Sequence, residues 1–155
     1  MAVSIRVSRD FGPLELILTE DDMRDVGDLL LRRIRTRTEA GQDVSGSAFD
    51  DYSPGYAQRK REALGHARVD LTVSGRMLND FQVTSVTNRS ATLSFISQGG
   101  SSVGGTFIQR SRAMGAADKA AYNNPTREFV GASEEDEQAI VDALEKALTA
   151  RFNQE

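Results

Sequence analysis

The chain has 155 residues and a formal net charge of −4; 39% of its residues are hydrophobic and 27% charged, with one histidine and no cysteine. That length suits one domain able to bury about 70% of the surface its unfolded chain exposes, and the acidic balance disfavours a surface that embraces nucleic acid on all sides. Without cysteine there are no disulfides, thiolate metal sites or thiol nucleophiles, and His66 alone excludes any site that needs two imidazoles.

No apolar run approaches the roughly eighteen residues of a membrane span. Met1-Ala2-Val3-Ser4-Ile5-Arg6 lacks a basic region followed by an apolar core, so no secretory signal is expected. Val3, Ile5 and Val7 alternate with polar residues, and Leu14, Leu16 and Leu18 alternate again after Asp10-Phe11-Gly12-Pro13. The period of two predicts a hairpin or two separate strands.

A helix is expected over residues 19–40. Thr19 supplies a capping hydroxyl, Glu20, Asp21 and Asp22 place negative charge at the positive end of the dipole, and Met23, Val26, Leu30 and Ile34 share a face. Gly41 is the expected stop, and residues 41–53, rich in Gly, Ser and Asp, read as an exposed loop. Pro54 suits the first turn of a second helix that runs to Leu64, before Gly65. Leu71 and Val73 suggest a short extended piece, after which Ser74 is placed to cap one helical turn through Leu78.

Residues 81–96 form the clearest hairpin pattern. Phe81 and Val83 alternate with polar residues, Thr87-Asn88-Arg89-Ser90 supplies the turn, and Ala91, Leu93 and Phe95 alternate on the return. Residues 97–126 are polar and glycine-rich, too long for an ordinary connection, and are expected to be mobile or ordered by a partner, with a helix around 113–122. Ser133-Glu134-Glu135-Asp136 opens a final helix over 133–152, with Ile140, Leu144 and Leu148 as its apolar stripe and Val141, Ala147 and Phe152 beside it. The expected fold is α+β: a small antiparallel sheet covered by the N-terminal and C-terminal amphipathic helices, in one domain over residues 1–155.

Little in the chain points to catalysis. Gly99-Gly100-Ser101-Ser102-Val103-Gly104-Gly105 lacks the lysine and hydroxyl residue that end a phosphate loop, and reads as a flexible loop. Glu134, Glu135, Asp136 and Glu137 are consecutive on a helix and fan outward, which suits capping and solubility rather than a cation site. His66 beside Gly65 reads as an exposed loop residue, without a serine and acid to form a triad. A hydrolase built on carboxylates ranks last, because the acids mostly sit at helix starts. No catalytic residue, metal or cofactor is assigned.

Two basic clusters carry an alternative reading. Arg32, Arg33, Arg35 and Arg37 gather at a helix end, and Arg59-Lys60-Arg61 forms a second group. Both suit salt-sensitive contact with phosphates, making the protein a DNA-binding module; cations also favour the C-terminal end of a helix on electrostatic grounds alone. Tyr52 and Tyr56 are either interface anchors or ordinary packing residues.

Four segments in order resemble the phage virion-morphogenesis family, the tail-completion proteins of Mu-like and related tailed phages. They are Gly41-Gln42-Asp43 with Phe49 and Tyr52-Ser53; Tyr56-Ala57 with Lys60; Leu71-Thr72-Val73-Ser74-Gly75-Arg76-Met77-Leu78; and Arg127-Glu128-Phe129-Val130-Gly131 before the final helix. Together they span about residues 20–150. The family often carries a His-Gly-like dipeptide after the central hairpin, where this chain has Ser97-Gln98-Gly99-Gly100. The resemblance implies a non-catalytic part of the virion, assembled in the host cytoplasm, that completes the tail or joins it to the head-side connector. It further implies tail and neck proteins as partners and a ring of copies, with no membrane association. Tyr52, Tyr56, Arg127 and Phe129 are then the candidate assembly interface, and Arg32, Arg33, Arg35 and Arg37 the residues that would face DNA.

Overall fold

The computed structural model describes residues 2–6, 18–96 and 115–153. Among them the order is β1 (Ala2–Arg6), α1 (Glu20–Glu39), α2 (Pro54–Leu64), α3 (Arg76–Asp80), β2 (Phe81–Thr87), β3 (Ser90–Phe95), α4 (Ala116–Asn123) and α5 (Glu134–Phe152). The expected α+β class is what the structure shows. The strand pattern at Leu14, Leu16 and Leu18 falls largely outside the described residues; Leu18 itself is buried.

The sheet is three-stranded and antiparallel, in the order β1-β3-β2. The hairpin closes with Thr87 opposite Ser90, and β1 lies on the far side of β3 with Val3 opposite Leu93 and Ile5 opposite Ala91. Alternation puts Ala91, Leu93 and Phe95 on the buried face, while Gln82 and Thr84 face outward. Thr84 and Ser94 hydroxyls share a hydrogen bond of 2.8 Å on that polar face. A register shift between Val83 and Ser85 breaks β2 at Thr84, which bends this edge strand and makes it a poorer template for stray pairing.

Both long helices begin as their sequences predict. The Thr19 hydroxyl accepts the Asp22 amide while the Asp22 carboxylate accepts the Thr19 amide at 2.7 Å. Ser133 and Asp136 make the same reciprocal pair, with aspartate in the place usually held by glutamate. α1 lies on the apolar face of the sheet and buries Met23, Val26, Leu30 and Ile34. Its approach is close at Gly27, where a Cβ would stand 3.1 Å from both the Ala91 Cβ and a Val83 methyl. α5 lies chiefly along α1 rather than on the sheet and adds Ile140 to the common core.

Some local expectations are corrected. Leu71 and Val73 form no strand: Leu71 takes a left-handed backbone with φ of 51°. α3 is preceded by Gly75 at φ of 72°, and no side chain caps it, so Ser74 does not serve as its cap. The 41–53 loop is not merely exposed. The Phe49 ring is buried, and the Val44 amide donates to the Glu128 carbonyl at 2.8 Å, joining two segments distant in sequence. The 97–126 segment divides: residues 97–114 lie outside the described residues, whereas the helix expected around 113–122 is present as α4, and its Ala116 and Ala120 are buried in the core rather than part of a mobile arm.

A candidate assembly interface around three tyrosines

Tyr52 and Tyr56 flank the start of α2, one turn apart, and their rings meet at 4.6 Å between centroids. Four residues further along α2, Lys60 turns inward and is fully buried. A buried ammonium needs compensation. Lys60 Nζ donates to the Arg68 carbonyl at 2.6 Å and forms an ion pair with the Asp70 carboxylate, and it sits 5.0 Å from the Tyr52 ring centroid. Asp70 also accepts the Thr72 amide at 3.0 Å. The left-handed turn at Leu71 aims its amide at the Tyr52 hydroxyl, which accepts it at 3.2 Å. A bulky residue in that region is strained. Here the Asp70 and Tyr52 contacts on either side of Leu71 hold it in place.

Arg127 closes the cluster from the other side. Its guanidinium lies 5.0 Å from the Tyr52 centroid and donates to the Asp50 and Asp51 carbonyls at 2.9 and 2.8 Å. The Asn124 side chain accepts the amides of Phe129 and Val130 and so fixes the segment that carries Arg127. Burial pushes the Tyr52 hydroxyl well above its ordinary value, helped by Tyr56 and the Asp70 charge. Tyr56 is raised for the same reasons, burial first and Asp70 second. Both phenols are therefore neutral hydrogen-bonding groups at neutral pH.

These side chains line a cleft of about 790 Å³ whose other walls include Arg59, Met77, Lys119 and Tyr122. The chain has three tyrosines, and all three line it. Tyr122 on α4 is 79% exposed. Of the candidate interface residues, Tyr52, Tyr56 and Arg127 are thus brought together. Phe129 is not: it is fully buried in the core and supports the segment from beneath. Lys119 and Tyr122 were missed, because they lie in a stretch whose composition reads as a mobile arm.

The arginine cluster of α1 has a different fate. Arg33 Nε and Arg37 Nη1 each reach a different oxygen of Asp136 at 2.5 Å, and Asp136 is 1% exposed. Arg37 also donates to the Gly131 carbonyl at 2.9 Å. Arg35 leaves on another face, donating to the Leu78 and Phe81 carbonyls at 3.1 and 2.7 Å. Arg32 is exposed. Three of the four arginines are therefore engaged within the molecule. The second cluster also divides, with Arg59 and Arg61 outside and Lys60 inside. Asp136 was expected to fan outward with Glu134, Glu135 and Glu137; instead it turns inward. Burial alone would raise its pKa, but the Ser133 amide, Arg33 and Arg37 together hold it below the ordinary 3.8. His66, expected to be exposed, is half-buried.

Among the described residues, no group of three or more acids or histidines is placed to hold a metal ion, and no helix is long and apolar enough to cross a membrane. The family model for phage virion morphogenesis matches residues 18–149, most of the chain. The protein belongs to the phage virion morphogenesis family. Its role accordingly lies in the structure and assembly of a phage particle. No curated protein and no solved structure matches the chain. For this family member, the segments that carried the resemblance are chiefly those that build the frame: Gly41, Phe49, Lys60, Met77, Leu78, Phe129 and Gly131 sit in turns, close contacts or the core. Gly41 is an example, with φ of 80° and the Val69 carbonyl 2.8 Å from where a Cβ would stand.

Proposed function

We propose that this protein completes the tail of a phage particle or joins that tail to the head-side connector, and does so without catalysing a reaction. The observation that carries this reading is the extent of the family match. Residues 18–149 take in α1, the tyrosine cleft, the hairpin and most of α5. A cleft lined by tyrosines and cations on a well-tied frame suits a part that docks on other proteins, since Tyr and Arg are favoured at interfaces. In this reading Tyr52, Tyr56 and Arg127 belong to a surface through which the protein assembles into the particle, and tail or neck proteins are its neighbours there. Copies of the protein meet head to tail in a ring, and the finished protein resides in the virion after assembly in the host cytoplasm. The DNA-binding alternative draws less support, because Arg33, Arg35 and Arg37 already have partners inside the fold.

The test is negative-stain microscopy of lysates after deletion of the gene from its parent phage, with a complemented control. Filled heads separate from tails, restored to joined particles by complementation, are the expected result. Normal infectious particles from the deletion would overturn the reading.

A further inference from the structure

Among the described residues, two surfaces complement each other in charge and shape of side chain. One is the tyrosine cleft. Arg59, Lys119 and Arg127 line it, with the Asp50 and Asp51 side chains as the acids among its walls. Burial first, and the nearby Arg76 charge second, lower the pKa of Lys119, and a carboxylate brought beside it would favour its charged form. The Arg127 guanidinium meets Asp50 and Asp51 through their neutral main-chain carbonyls.

The second surface is the outer side of α5. Glu134, Glu137, Val141, Glu145 and Phe152 recur at three-, four- and seven-residue spacings and share one helical face, turned away from Asp136 and Ile140. All five are exposed. Val141 is 45% and Phe152 52% exposed, so acids and apolar anchors stand in one stripe. Among the described residues the exposed large hydrophobic side chains are Ile96, Tyr122, Val141 and Phe152. Three of those four belong to one or other of these two surfaces. A helix that offers carboxylates and apolar side chains on one face is the matching guest for a groove lined with cations and tyrosines.

We infer that the tyrosine cleft of one copy receives the outer face of α5 from a second copy. Val141 and Phe152 would pack on Tyr52, Tyr56 and Tyr122, and Glu137 and Glu145 would meet Arg59 and Lys119. The two surfaces share no residue, so the contact is heterologous: each copy offers its cleft to one neighbour and its helix to another. Such a contact closes into a ring or runs on as a filament. The inference rests on the assembly reading for its meaning, but it is tested on the purified protein alone.

The experiment is sedimentation velocity on the full chain at low and high salt, with two charge-reversed variants. One is Arg59→Glu with Lys119→Glu; the other is Glu137→Lys with Glu145→Lys. Wild type is expected to form species above its 16.9 kDa monomer mass as concentration rises, and to lose them at high salt. Each reversed variant alone should stay monomeric, because like charges then face each other. An equimolar mixture of the two should associate again, since each cleft then meets a helix of opposite charge. Tyr122→Ala, which removes an exposed side chain and leaves the core intact, should weaken wild-type association by about tenfold or more. Wild type that stays monomeric at every concentration, variants that associate as wild type does, or a mixture that stays monomeric would each overturn the proposal. None of those outcomes would alter the phenotype of the gene deletion, so the two readings fail separately.

Discussion

The two basic clusters read alike in the sequence and fold to different ends. In α1, Arg33 and Arg37 stand one turn apart on the side that meets α5, and both close on a single buried carboxylate. In α2, only the middle cation of Arg59-Lys60-Arg61 turns inward, where Asp70 neutralises it, and its neighbours stay outside. The first cluster becomes a fastening between two helices. The second becomes the footing of a surface, because Lys60 lies under Tyr52 and its partner Asp70 precedes the strained Leu71 turn. What separates them is which helical face meets a neighbour, a property that charge content does not encode.

That contrast can be broken most severely at Asp136. Asp136→Ala leaves the Arg37 guanidinium, 10% exposed, without its counter-charge, and removes half of the α5 capping box. Breaking a buried pair from one side costs about 3–5 kcal/mol, and urea unfolding is expected to show a loss of that size. The same pair sets an acid dependence. Because the Asp136 pKa is depressed in the folded state, its stabilisation is complete above the ordinary 3.8 and fades as pH falls through the lower folded-state value. The stability gap between wild type and Asp136→Asn should therefore narrow as pH drops from about 5 to about 2.

At the other cluster, Asp70→Asn strands Lys60 with the Arg68 carbonyl and a neutral amide. A loss of about 3 kcal/mol is expected, together with reduced association of the purified protein, because Tyr52 and Leu71 lose their footing. The association readout sharpens the contrast, since Asp136 variants that remain folded should associate as wild type does. Gly27→Val tests the frame that both clusters share. Its side chain would press on Ala91 and Val83, at an expected cost of about 1–3 kcal/mol by thermal or urea unfolding. The smallest effect belongs to Arg32→Ala. It removes the exposed member of the α1 cluster and should change stability by less than about 0.5 kcal/mol. If the same substitution abolished a steep salt-dependent affinity for DNA, the DNA-facing reading of that cluster would regain its standing.

Local signals were the legible ones. Thr19 with Asp22 and Ser133 with Asp136 lie three residues apart, so both helix starts could be read without knowing what they pack against. Alternation over residues 81–95 gave the hairpin for the same reason. What stayed hidden depends on distance along the chain. No spacing rule links Arg33 to Asp136, and an aspartate already explained as a cap gives no sign of also taking two arginines. The Leu71 turn was missed because a leucine beside a threonine and a valine favours extended backbone; the Asp70 and Tyr52 contacts that override this are themselves tertiary. At the cleft, Tyr52 and Tyr56 stood out as aromatics suited either to an interface or to packing, whereas Lys119 and Tyr122 were masked by the polar, glycine-rich composition of residues 97–126.

The Arg33–Asp136 contact joins residues 103 positions apart, and that span is also a delay. At about 5–20 residues per second of synthesis, α1 leaves the ribosome roughly 5–20 s before the carboxylate that fastens it. Its apolar face also precedes β2 and β3, which are encoded some fifty residues later. For that interval a nascent chain offers Met23, Val26, Leu30 and Ile34 on an uncovered helix flanked by arginines, the kind of segment that hydrophobic-binding chaperones hold. The first helix is therefore fastened only once the last one has been made, and a chain stalled before Asp136 would leave it loose.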